Sequence, residues 1–476
     1  MRLGNEYSAQ SLIQSSEDNF SGNGIGIVHF GVGAFHRAHQ AVYTHDVLVK
    51  HGGDWRILGV SLQSTETVDA LNFQDGIYSL IVRGEKKSTL RIIESIKHTV
   101  AAARGTDQLF KYLASPQTRI VSMTVTEKAY GILREAEKVD IKHESIAYDL
   151  ANPDTPKGII GIITKGLKLR KEKGLNPFTV MCCDNLPQNG DLIRAGVIDF
   201  ARHINQPELA EWIIKVGAFP NSMVDRITPA TTPKLIDETS KLLGAEDLVP
   251  IETEPFSQWV VEENFSDGRP KWEDVGVLFV DDVAPYEHMK LRMLNGAHSL
   301  IAYIGFCSGH KYVRDAMVDK TITQLVETHM IAASKTLAPL GNIKFDAYSK
   351  ELIERFKNQN IEHETYQIAM DGSQKMPQRI FEPAVDSLHL GLSIEPFAFA
   401  TAAWIFYCSG KHKEGSSYAL RDPREAELIS AFNSGDGISY NICNAFFELP
   451  DLFPIELIEN SKWNTAVTNY LKTMMG

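Results

Sequence analysis

Between Tyr286 and His310 the apolar residues fall at helical spacing, with no proline to interrupt them. On a wheel of about 100° per residue, Met293, Leu294, Ala297, Leu300, Ile301 and Ile304 share one face. Lys290, Asn295 and His298 lie off that stripe. Lys290 and Asn295 are about 140° apart, with His298 between them and Glu287 one turn earlier. The pattern predicts one long helix with a core side and a flank carrying an amine, an amide, an imidazole and a carboxylate. Such a flank suits a ligand cleft. It suits equally a solvated polar face with a half-buried histidine.

Nearer the N-terminus the period changes. Short apolar runs at Gly24–Phe30, Trp55–Leu62, Arg119–Thr126 and Phe178–Cys183 have strand character, and Lys157–Lys173 is helical. Strands alternating with helices predict a mostly parallel sheet covered on both faces. The first run ends in GVGAFHRAHQ, where Gly31 and Gly33 open a helical pattern. A strand, a tight glycine turn and a helix start let a pyrophosphate sit on backbone N–H groups. His36 stands where the fingerprint has its third glycine, so a plain strand-to-helix turn remains open. The second strand ends in Ser61, Leu62 and Gln63, with Glu66 beyond it, so spacing does not choose between NAD and its phosphorylated form. Asp184, Asn185 and Asn189 follow the fourth strand, where open α/β sheets place ligand groups. Asp225 and Arg226 lie in a proline-bounded segment, and Phe256–Val261 and Val275–Val283 have further strand character.

From Pro285 onward helical periods dominate, at 286–308, 312–336, 346–357, 383–391, 395–408, 423–433, 437–446 and 462–474. The fold expected is an α/β Rossmann-type N-terminal domain, residues 1–284, followed by a mainly α-helical C-terminal domain, residues 285–476. One stretch reads as a loop: Ala369–Arg379, AMDGSQKMPQR, with turn chemistry at Asp371-Gly372 and Pro377. Its Lys375 and Arg379 fit solvent, and fit equally a grip on a substrate carboxylate.

A length of 476 residues agrees with two cores. The net charge of −12, with no basic cluster, argues against nucleic acid as a partner. The apolar runs are too short to span a bilayer, and the N-terminus lacks the basic and apolar stretches of a secretory signal. The five cysteines, Cys182, Cys183, Cys307, Cys408 and Cys443, show no CxxC or Cys/His metal spacing. Free thiols in a reducing cytoplasm and no structural zinc are expected.

The segments IVHFGVGAFHRAHQAVY, TVTEKAYG, CDNLPQNG, MVDRITPAT, EPFSQWVVEENF and MKLRMLNGAHS together resemble the polyol-specific long-chain dehydrogenases, the mannitol dehydrogenase family. AMDGSQKMPQR extends the resemblance into the C-terminal half. The resemblance implies a metal-independent NAD(H) oxidoreductase, often monomeric, acting on a small sugar acid or polyol. It implies Lys290 as the general base, Asn185 and Asn295 as holders of the reacting oxygen, and His298 as a substrate contact. Glu127 corresponds to a carboxylate linked to proton exchange, and Asp225 to a site-lining aspartate. Gly31, Gly33, Ala34, Phe35, His36 and Arg37 fall in the cofactor turn, where His36 and Arg37 fit packing as well as the pyrophosphate. Lys375 falls where the mannitol branch usually has arginine.

Without zinc, the base for a secondary alcohol must be a side chain. A lysine serves only when neutral, so its pKa has to fall from about 10.4 towards 7–8. Two substrate pairs are consistent with the motifs. The DGSQKMPQR segment resembles the aldonate-oxidising branch, which favours D-mannonate and D-fructuronate. GVSLQSTETVDALNFQDGIYSL resembles members of the mannitol type, which favours D-mannitol and D-fructose. A regulator that binds NAD without catalysis is the rival outside enzymes, and the intact Lys290, Asn295 and His298 set argues against it.

Overall fold

The computed structural model describes residues 3, 4, 24–133, 136–341, 343–412 and 414–476, with Glu127 described in its backbone alone. The polar leader read above for a secretory signal falls almost wholly outside these residues. The chain divides into two compact units, Met1–Ala284 and Pro285–Gly476.

The first unit is built on a five-stranded parallel sheet. Its strands run in the order Ile96–Ala101, Arg56–Ser61, Ile25–Phe30, Ile120–Met123 and Thr179–Cys182. Side chains alternate between its faces. Val28, Phe30, Leu58, Val60, Val121 and Met123 pack with Ile159–Glu172 and Asn189–His203 on one side. Ile27, Ile57, Ile120 and Met181 pack with Gln40–His51 on the other. Burial on both faces explains why four of these strands read as apolar runs, while the edge strand Ile96–Ala101, with Lys97 and His98 half-buried, does not. The chain leaves Ile25–Phe30 towards one side of the sheet and later returns to Ile120–Met123 on the other. Strand order therefore reverses between these two neighbours, and the crevice at such a reversal is where ligands bind.

The sheet is not all there is. Tyr78–Arg83, Ser88–Ile93 and Ile251–Thr253 form a three-stranded mixed sheet, and Ser222–Asp225, Gln258–Glu262 and Leu278–Val280 form another. The proline-bounded segment around Asp225 is thus a strand, completed by a partner over thirty residues downstream.

The second unit is helical around one core that includes Met293, Ile301, Val326, Phe397, Trp404 and Trp463. Three expectations change here. The period at 312–336 is two helices, Val313–Ala316 and Lys320–Ser334, because Asp319 caps the second by accepting from Thr321 and Ile322 N–H. The long helix is not uniform: Ala284–Met289 and Gly296–Cys307 are α-helical, but Lys290–Asn295 winds as a π-helix. The stretch read as a loop is helical, with Gly372–Met376 running into a second π segment, Pro377–Phe381. Asp371 keeps its turn geometry at φ 55°, but Asp422 takes the Ser373 N–H and hydroxyl and so caps the helix that follows. Pro377 cannot donate to a helical ladder and its ring crowds the preceding turn, which accounts for the wider winding there.

Among the described residues, no helix is long and apolar enough to cross a membrane, and no group of three or more His, Cys, Asp or Glu could hold a metal ion.

Candidate active site

The glycine turn sits at the C-terminal end of Ile25–Phe30, beside the loop that follows Ile120–Met123. Gly31 has φ 97°, and a Cβ there would lie 2.1 Å from the Thr124 carbonyl oxygen. Only glycine fits. Gly33 differs: its φ of −71° suits any residue, and a Cβ would meet nothing within 4 Å. The fold does not require this glycine, whereas a dinucleotide whose pyrophosphate comes close to the backbone does. Gly33 also precedes the first helical residue, Ala34, so N–H groups without an intrahelical partner lie at this turn. The turn fits a dinucleotide.

Of the other residues expected there, Ala34 and Phe35 are half-buried, and Phe35 stacks on His39 at 4.9 Å. His36 and Arg37 are core residues. His36 lies flat on His29, ring centres 3.4 Å apart, so it replaces the close helix–strand packing of a third glycine with a ring stack. Neither of its ring nitrogens makes a well-formed hydrogen bond. Burial drives its pKa well below the usual value, with the neighbouring positive groups adding to the shift. Arg37 donates to the carbonyls of Val32 and Val249. Its expected place beside the pyrophosphate gives way to a buried place behind the turn.

At the next strand ends, Asp184 is structural. Its carboxylate accepts from the Val125 and Thr126 N–H groups and the Tyr130 hydroxyl, which pins the TVTEK loop. Burial raises its pKa. Thr126 takes φ 77° in this loop, a strained position for a β-branched residue. The next residue is Glu127, whose side chain lies outside the described residues. Asn189 bridges the Asp184 and Ser222 backbones and is fully buried. Asn185 is exposed just beyond Thr179–Cys182. Asp225 is buried at the end of its strand, opposite Gln258.

In the second unit, Lys290, Asn295 and His298 are only 6%, 8% and 7% exposed. A solvated polar face is therefore ruled out. The π winding also changes their bearing. Residues five apart stand about 140° apart on an α-helix, but a π-helix closes its hydrogen bonds across five residues. Lys290 and Asn295 are that pair, which brings them nearer to one face. Asn295-Gly296 does not end the helix. Gly296 stays helical, and a Cβ there would press on His329 Nε2 at 2.6 Å.

His298 packs against Phe356 at 4.6 Å and edge-on to His363 at 5.3 Å. Burial, then the charges of His363, Arg355, Arg379 and Lys290, push its pKa well down. His363, lowered to about 4 by burial and Lys375, was missed in the sequence because nothing in IEHET marks it. Lys375 and Arg379 bond to different groups of the second unit. Lys375 Nζ donates to the carbonyls of Met370 (2.6 Å) and Ile368 (3.3 Å), at the end of Thr365–Ala369. Arg379 donates to Ser299 Oγ at 3.1 Å and reaches the Asn295 carbonyl at 3.5 Å. It braces the π segment that carries Lys290 and Asn295.

The chain as a whole matches known proteins. Residues 25–274 match the mannitol dehydrogenase Rossmann domain, and residues 282–475 the mannitol dehydrogenase C-terminal domain. The chain is 40% identical over 450 residues to D-mannonate oxidoreductase of Escherichia coli (strain K12), covering 93% of this chain and 91% of that protein. It is equally 40% identical, over 452 residues, to mannitol 2-dehydrogenase of Aspergillus fumigatus, covering 93% and 89%. Among solved structures it resembles Pseudomonas fluorescens mannitol 2-dehydrogenase in a ternary complex with NAD and D-mannitol. The TM-score is 0.88 at 34% identity, covering 99% of this chain and 96% of that one. The chain belongs to the mannitol dehydrogenase family and is an oxidoreductase of that family.

Proposed function

We propose that this protein is an NAD-dependent, metal-independent secondary-alcohol dehydrogenase that interconverts D-mannonate and D-fructuronate. Bound NAD supplies the hydride acceptor for oxidation and, once reduced, the hydride donor for the reverse reaction. The chain's own groups handle the proton and the oxygen. Lys290, as the neutral amine, takes the hydroxyl proton, and as the ammonium returns it to the ketone oxygen. The side-chain amides of Asn185 and Asn295 donate to that oxygen as its charge grows; a preorganised donor of this kind contributes about 2.7–4 kcal/mol. His298 is held neutral, so the ring nitrogen facing a substrate hydroxyl either donates to it or accepts from it, according to the tautomer. Asp225 lines the substrate, and Glu127 exchanges the lysine's proton with solvent.

One observation supports the sugar acid over a neutral polyol. Positive charge gathers around His298, from Arg355, Arg379 and Lys290, with Lys375 beside the adjoining His363. A cation near the substrate attracts a carboxylate more strongly than a hydroxyl. The equal identity to mannitol 2-dehydrogenase favours D-mannitol and D-fructose as a second reading. Initial rates of NADH oxidation with D-fructuronate and D-fructose, repeated with NADPH, separate the two. A kcat/KM at least about tenfold higher for fructuronate is expected. A preference for fructose would overturn the sugar-acid reading while leaving the chemistry in place.

A further inference from the structure

His29 is the one polar side chain in the apolar strand Ile25–Phe30, and it is fully buried. Its Nε2 lies 3.1 Å from the Gly31 carbonyl oxygen and 3.0 Å from Thr124 Oγ1; Nδ1 lies 2.8 Å from Ser122 Oγ. A carbonyl only accepts, and Thr124 Oγ1 already gives its own proton to the Gly31 oxygen, so Nε2 carries a proton. The Ser122 hydroxyl donates to the Gln40 side-chain oxygen at 2.8 Å. Thr124 Oγ1 also donates to the Gly31 oxygen, at 2.9 Å. Both lone pairs of that carbonyl are therefore taken, from the side of the sheet.

A trans peptide is planar, and its C=O and N–H point in opposite directions. Holding the Gly31 oxygen towards His29 turns the Val32 N–H away from it. Arg37 Nε does the same one peptide later, holding the Val32 oxygen at 3.2 Å and so turning the Gly33 N–H. Two buried side chains thus set two successive peptide planes of the glycine turn.

We infer that His29 is a positioning residue for the dinucleotide: through the Gly31 carbonyl it aims the backbone N–H groups of the Gly31–Gly33 turn at the cofactor's pyrophosphate. The inference rests on the NAD reading above. It assigns a role to a buried residue that the family motif contains but gives no function. Burial lowers the pKa of His29 to about 3, so the ring stays neutral, with its proton on Nε2, across the working range of an enzyme.

The test compares two polar replacements. Gln carries an amide donor near the position of Nε2; Asn reaches only the position of Nδ1. NADH affinity, read by fluorescence titration without any sugar, stays within about threefold of wild type in His29→Gln. It weakens by about tenfold or more in His29→Asn. At saturating NADH, kcat of His29→Asn stays close to wild type, so the loss appears in KM for NADH. Thr124→Val and Thr124→Ser repeat the comparison at the second donor, with Ser retaining affinity and Val losing about threefold. His29→Asn and Thr124→Val binding NADH as wild type does would overturn the role, as would equal losses in His29→Gln and His29→Asn. A wild-type chain that binds no NADH would overturn both the role and the cofactor reading beneath it.

Discussion

The two units hold their functional groups by opposite means. In the first, strands end at the crevice and the groups offered there are backbone N–H donors, aimed by a glycine turn and by buried side chains behind it. In the second, a continuous helical run widens into a π segment, and the groups offered are the side chains of Lys290, Asn295 and His298. The difference says where each unit is vulnerable. The first depends on the absence of side chains at two positions, and the second on the identity of side chains in one segment.

The largest expected effect breaks the second unit alone. Lys290→Ala lowers kcat by about 10³-fold or more, as loss of a general base does, while the NADH dissociation constant holds. A kcat near wild type would remove Lys290 from the proton step. Next comes a pair that separates the two glycines. Gly31→Ala forces a side chain into left-handed backbone against the Thr124 carbonyl and costs about 2 kcal/mol or more of stability, read by urea unfolding. Gly33→Ala leaves stability unchanged or slightly improved, yet weakens NADH binding by about tenfold. If both alanines merely destabilised the fold, the open space above Gly33 would have no bearing on the cofactor.

A smaller effect tests charge in the second unit. Lys375→Ala lowers kcat/KM for D-fructuronate by about tenfold and for D-fructose by less than about threefold. Equal losses would assign Lys375 to holding the Met370 and Ile368 carbonyls rather than a substrate carboxylate. The smallest effect is common to both units. Burial lowers His29 and His45 to about 3, and His329 and His363 to about 4. Below about pH 6.5 the unfolded chain binds protons that the folded chain refuses, so stability is full above that pH and declines towards pH 4. Asp149, raised to about 6 by burial, acts in the opposite sense as pH falls from about 6 towards 4, and the four histidines outweigh it. The urea midpoint therefore falls from pH 7.5 to pH 5, and His329→Gln flattens the fall. A level midpoint across that range would contradict the histidine assignments.

What could be read in the chain follows the reach of each interaction. Four of the five sheet strands were legible because they are buried on both faces and so carry apolar runs, whereas the edge strand Ile96–Ala101, with Lys97 and His98 inside it, was not. The glycine turn and the Lys290, Asn295 and His298 spacing were legible as motifs. The π winding was not, since hydrogen-bond register leaves no trace in apolar period. Neither was the helix at Gly372, whose cap, Asp422, lies 49 residues beyond Ser373. Asp-Gly and Pro there did mark local geometry correctly, but long-range contacts turned it into helix. The break before Lys320 was within reach, because Asp319 is an ordinary N-cap. His29 and Arg37 show the same limit at the site. Their residue types were visible, but the carbonyls that they hold could be known only from the fold.

The Arg37 contact also has a bearing on synthesis. The Val249 carbonyl that receives its guanidinium lies 212 residues further along the chain. At about 5–20 residues per second, a ribosome needs roughly 10–40 s to make that stretch after Arg37 has emerged. Throughout that interval Arg37, one of the turn's two braces, lacks the Val249 carbonyl that anchors its far end. A chain released early, with the parallel sheet already made, would still lack the finished turn. Cofactor added during translation should therefore find its site only when nearly all of the first unit has been made.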